Sequence, residues 1–281
     1  MPTRLAPAII TMVTTTMSMS DGQPIDPPGV WRIAADGWRI SWRVWQTMPS
    51  LLASAIGCFV ILAVLLSELV SNDPLHPIDL AATLTNLLDL VALAAIEASL
   101  AIAVHRMVLL NETEDRWIWR APPQFGPFFQ WLLVMQCVQF IGAIGAATVP
   151  ASHFLLWAVT LLALSLIQIY VVTRCMLLFP AIAIDAAAQG LDSAWDQSRG
   201  RFWRFFGVCL CSSLIVAPVW LGIIVLYLVA RHLLGYDWHQ IFGADDWFLN
   251  ILSAVFQPLW TTALAASASI LYRNFASRLA R

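Results

Sequence analysis

Long apolar runs, each closed by a polar or aromatic boundary, set the plan of the chain. LLASAIGCFVILAVLLSELV at 51–70 supplies the roughly 20 consecutive apolar residues that a membrane-crossing helix needs. Comparable runs predict further spans at 86–107, 128–149, 153–175, 206–230 and 248–272. The second run is signalled from Pro77 and Asp79, where proline fixes φ and an acid meets the positive end of the helix dipole. A helix from there to Leu110 exceeds a hydrocarbon core about 30 Å thick, so its first turns should stand outside. Between 31 and 48 the pattern becomes helical: Trp31, Trp38, Trp42 and Trp45 share a face, with Arg32, Arg39 and Arg43 about 100° round from it. That describes an interfacial amphipathic helix whose Trp stripe meets lipid or protein. Pro49 suits the first turn of the span that follows. The predicted fold is all-α: a disordered tail at 1–30, then a membrane domain at 31–281. That domain is an integral bundle of six transmembrane helices, drawn as three hairpins, with interfacial amphipathic helices.

The lipid-compatible pattern breaks at 173–206, where charge, proline, glycine and aromatics gather. Pro180 forbids a regular helix from running through it, and Gly190 divides AIAIDAAAQ from LDSAWDQSRG, so 176–205 reads as a hinge at the membrane surface. A short helix after Gly190 would put Leu191, Trp195 and Phe202 on one side and Asp192, Asp196 and Arg199 on another. Arg174 and Asp185 could form an ion pair across the hinge. The order Arg174, Leu177, Pro180, Ala181, Asp185, Leu191, Ala194, Trp195, Ser198, Gly200, Trp203, Arg204 resembles the signature of a bacterial membrane-protein family. That family is described as similar to the membrane domain of glycerophosphodiester phosphodiesterases. HRMVLLNE, carrying His105, Arg106 and Glu112, resembles a segment ending the second span in related proteins. The resemblance implies a multi-span fold and a membrane location. It implies no reaction, because the catalytic module of those phosphodiesterases has no counterpart in this sequence.

Composition agrees with the pattern: 60% hydrophobic and 11% charged residues, with a mean hydropathy of +0.76, are far too apolar for a soluble domain of this size. The net charge of -2 conceals an asymmetry. All 15 basic residues are Arg, and fourteen of them fall in segments that six spans would place on one side. Arg231 falls on the other, with Asp73, Asp237, Asp245 and Asp246. By the positive-inside rule both termini are then cytoplasmic, in a bacterial inner membrane, with anionic inner-leaflet lipid as the nearest partner. Nucleic acid is not expected as a partner. A membrane-protein partner or a second copy of the chain stays open. The five cysteines lie in or beside apolar runs and suggest buried thiols, not disulfides.

Candidate chemistry is sparse. His76, His153, His232 and His239 are assigned to the outer side near the aspartates, but without ligand spacing, and neither a metal nor a cofactor is expected. No G-x-S-x-G or H-E-x-x-H occurs, and catalysis is not expected. Glu97 stands out. It lies nine residues before Arg106, about 13 Å inside the boundary, where a carboxylate costs on the order of 3 kcal/mol. Gln136, Gln139 and Gln168 fall at comparable depth and are its expected partners. If the cluster closes on itself its role is structural, the favoured reading; if water reaches it, it is a proton or ligand site. The sequence thus favours a non-enzymatic, organising or accessory membrane protein, over a transporter or lipid-handling protein with a polar cavity near Glu97.

Overall fold

The computed structural model describes residues 28–69, 80–115, 117–118, 122–147, 154–186, 190–233 and 247–275. These form α1 (Val30–Thr47), α2 (Pro49–Leu69), α3 (Leu80–Leu110), α4 (Phe125–Ala147), α5 (Phe154–Cys175), α6 (Leu178–Ala183), α7 (Leu191–Gln197), α8 (Phe202–Leu233) and α9 (Trp247–Phe275). Most of the expected tail, and the connections carrying Asp73, His76, His153, Asp237, His239, Asp245 and Asp246, lie outside the described residues.

Four helical segments are long and apolar enough to cross a membrane: Leu84–Leu110, Ala158–Cys175, Phe202–Leu233 and Ile251–Phe275. A fifth arises if α1 and α2, bent by 99°, count as one broken span. The described apolar part of α4, Phe125–Val138, is shorter. α3 runs unbroken for 31 residues because it is rich in Leu and Ala and contains neither Gly nor Pro. The bend after α1 falls at Met48, the residue before Pro49, where proline disfavours a helical conformation.

One end of the bundle is defined by contacts between helix ends. His105 near the end of α3 meets Ser269 near the end of α9 and Phe128 at the start of α4. Asp115, just past α3, caps the first turn of α2. Arg201, just before α8, reaches the Phe275 carbonyl, while Tyr170 near the end of α5 packs on Trp195 of α7. Described arginines 106, 174, 199, 201, 204 and 273 cluster at this end, with α1 alongside.

α9 is the hub, packing on α1, α2, α3, α6 and α8. Its Ala265–Tyr272 stretch is buried at every position, so more than two turns are covered all round. The sequence ALAASASI explains why: small side chains let neighbouring backbones approach closely, the dominant device of helix contacts in lipid. By contrast α5 and the far half of α8 are exposed along much of their length, with Leu155, Leu162, Leu226 and Leu233 open, as lipid-facing helices should be.

In α1 the buried stripe is Ile33, Ala34, Gly37, Ser41 and Val44, and the Trp face is divided between surface and protein. Trp31 and Trp42 are exposed, while Trp38 donates through Nε1 to the Ser212 carbonyl at 3.0 Å. The reason is steric: a β-carbon at Gly37 would lie 2.1 Å from Ser267 Oγ and 3.1 Å from the Ala263 carbonyl oxygen, so no large side chain fits there. The hinge is also not all surface. α6 buries Leu178, Pro180, Ala181, Ile182 and Ala183 between α3, α4 and α9. Pro180 breaks away from α5 as expected, yet it sits in the first turn of α6, where its missing N–H is harmless, and its apolar neighbours leave the surface for the core.

Candidate functional site

Glu97 is buried on α3 and both its carboxylate oxygens are occupied. Gln136 Nε2 on α4 donates to Oε2 at 3.2 Å, and Gln257 Nε2 on α9 donates to Oε1 at 2.6 Å. Two amide donors thus meet one carboxyl group, one at each oxygen. The cluster ties three helices together at one level. Glu97 and Gln136 lie eight residues from His105 and Phe128 respectively (105−97 and 136−128), which puts both about 12 Å below that aromatic contact.

Membership of the cluster differs from expectation. Gln136 is present. The side chain of Gln139 lies outside the described residues, and Gln168 sits half-buried on α5, whose main neighbours are α4, α7 and α8. Gln257 takes the expected place. Counting back from terminal arginines hid it: Gln257 lies 16 residues before Arg273 (273−257), against nine for Glu97 before Arg106 (106−97). The available signal was an amide inside an apolar run, immediately before Pro258.

Between the cluster and the arginine-rich end, polar groups meet in pairs. Thr262 Oγ1 donates its one proton to the Leu259 carbonyl at 2.9 Å, so Ser41 Oγ, 2.5 Å away, is the donor to Thr262. By the same logic Ser269 donates to the Ala265 carbonyl at 2.9 Å, which leaves its oxygen to accept from His105 Nδ1 at 2.7 Å. Ser212 and Ser267 lie 3.4 Å apart. His105 therefore acts as an interhelical tie, packed on Phe128, which in turn packs on Phe179 of α6.

The HRMVLLNE segment folds back on itself. Asn111 adopts φ 57, the left-handed conformation that ends helices, and Arg106 Nε donates to Glu112 Oε2 at 2.7 Å. Arg106 Nη1 also donates to the Ala183 carbonyl at 3.1 Å, fixing α6 to α3. Asp115 then accepts from the Ser50 and Leu51 amides at 3.0 and 3.2 Å. This supplies the N-terminal cap of α2 from a distant loop, and its distance in sequence kept it from view.

In the other motif, Arg174 Cζ lies 4.5 Å above the Trp195 ring, and Arg174 is 6% exposed. Trp195, not Asp185, is its neighbour; Asp185 is exposed at φ 58, where α6 ends. Gly200 takes φ 75, which only glycine adopts freely, and turns the chain into α8. Arg204 donates to the Pro28 carbonyl at 2.7 Å and lies over Phe275, holding the approach to α1. Trp203 is 76% exposed. Among the described residues no three His, Cys, Asp or Glu side chains converge as metal ligands. No protein-family model, curated protein or solved structure matches the chain.

The class defined by this fold is an all-helical protein with several helices able to span a membrane. Within it the polar side chains serve mainly to join helices.

Proposed function

We propose that the chain is a six-span protein of the bacterial inner membrane, both termini cytoplasmic, with its helices in three out-and-back pairs. On this reading it acts without catalysis, as an organising or accessory component resting on the anionic inner leaflet. The resemblance carried by the Arg174–Arg204 and His105–Glu112 segments supports the multi-span membrane part of this reading and implies no reaction. The observation that carries the reading is the mutual pairing of deep polar groups: Glu97 is taken by Gln136 and Gln257, and His105 by Ser269. A group already bonded inside a bundle is poorly placed to handle a passing substrate.

The alternative, a transporter or lipid-handling protein with a cavity at Glu97, draws on Pro258 beside Gln257. Proline removes a helical hydrogen bond there and frees the carbonyl of Ala254 one turn away. Proteoliposomes with an entrapped pH-sensitive dye distinguish the two. Under an imposed proton gradient the dye signal should decay as in protein-free vesicles. Faster decay that Glu97→Gln abolishes would replace the accessory reading with transport.

A further inference from the structure

We infer that Arg174, backed by Trp195, seats one phosphate of an anionic phospholipid at the corner between α5, α7 and α8. The inference rests on the membrane reading proposed above. Its starting point is a buried cation. Arg174 is 6% exposed, its Nε is sealed from solvent without an acceptor, and among the described residues its guanidinium has no carboxylate or carbonyl partner. Buried charges are ordinarily paired, and a guanidinium carries five N–H donors. The Trp195 face attracts the cation but offers no oxygen to those donors. An oxyanion brought to the planar fork would accept from it, the geometry that arginine presents to phosphate.

The surroundings select a lipid. From Trp195 an aromatic file runs outward: its ring meets Tyr170 edge-on at 5.8 Å, Tyr170 lies 5.2 Å from Phe202, and Phe202 lies 5.2 Å from Trp203. Tyr170 and Trp203 are exposed, at the level where headgroups meet hydrocarbon on the proposed topology. Beyond them the outer side of α5 offers exposed Leu166, Ile167 and Ile169 for an acyl chain. Arg199 and Arg201, exposed nearby, together with Arg174 outnumber the exposed Asp192 and Asp196 of α7, which favours an anionic headgroup over a choline. A free phosphate would use the guanidinium and leave the aromatic and apolar surface idle.

The test is native mass spectrometry of the full-length, detergent-solubilised protein with phosphatidylglycerol, phosphatidylcholine or inorganic phosphate added. Wild type should hold a phosphatidylglycerol that phosphatidylcholine and phosphate fail to displace, and Arg174→Gln should weaken its retention about tenfold. Unchanged retention in Arg174→Gln overturns the inference, as does displacement by inorganic phosphate alone. Should Arg174→Gln fail to fold, Trp195→Ala carries the test by the same readout: reduced retention is expected, and full retention overturns it. Because retention is read without any flux, proton transport in the vesicle assay would remove the accessory reading and leave this result standing.

Discussion

Glu97 shows how one side chain can be tolerated deep in an apolar bundle. Its two oxygens face two amides, so the demand for partners is met within the protein. Gln257→Leu would leave Oε1 without its shorter bond, and a buried acceptor left unpaired costs about 1–3 kcal/mol. Glu97→Gln preserves hydrogen-bonding groups once an amide turns, and should stay within about 1 kcal/mol of wild type. Thermal unfolding in one detergent compares them: a larger loss from Glu97→Gln than from Gln257→Leu would mean that the carboxylate's charge, not its hydrogen bonds, holds the three helices. Glu97 was legible because a carboxylate inside an apolar run violates the rule of the run. Gln257 was not, because an amide among apolar residues breaks no rule strongly, and its depth depends on how α9 sits in the bundle.

At the scale of elements, α1 is the instructive case. Its sequence advertises Trp and Arg, the residues of a membrane surface, yet what fixes it is a row of small residues against α8 and α9. Periodicity identified the helix and its amphipathic character. It could not identify the buried face, because that face is chosen by the shape of a partner more than 200 residues away. The short α6 was hidden for a related reason: Leu178 to Ala183 are apolar enough for the core or the bilayer, and Arg106 reaching the Ala183 carbonyl decides for the core. The close approach of α1 to α9 can be tested at Gly37. Gly37→Leu would drive a side chain into Ser267 and the Ala263 backbone, and overpacking of this sort costs about 1–3 kcal/mol or more. Gly37→Ala should be milder, and Ser267→Ala should recover part of its loss by removing the nearest atom. Melting temperatures of the two single variants and the double variant measure that coupling; strictly additive losses would show that the two positions do not press on each other.

For the whole molecule, the apolar runs made the all-helical, membrane-compatible character plain, while the described residues give four helices able to cross, or five if α1 and α2 count as one span. The proposed orientation is argued from charge. Nearly all described arginines lie at the end where α3 finishes and α8 begins, whereas Arg231 lies near the far end of α8. α8 is 32 residues long, about 48 Å of helix, and exceeds a hydrocarbon core of about 30 Å, so residues flanking it must emerge on opposite sides if it crosses. Arg199 is exposed just before α8, and Leu233, 79% exposed, ends it. Cysteine placed at Arg199 or at Arg39 should escape an impermeant thiol reagent added to intact cells and react once the membrane is opened. Cysteine at Leu233 should react from outside, above the background of the parent protein. Labelling of position 199 but not 233 from outside would reverse the orientation and detach the arginines from the cytoplasmic leaflet. Labelling of both from one side would mean that α8 does not cross, and with it the six-span plan would fall. The expected pattern, 39 and 199 inside and 233 outside, would place Arg174 and Trp203 at the inner leaflet, where anionic headgroups lie within a Debye length of about 8 Å.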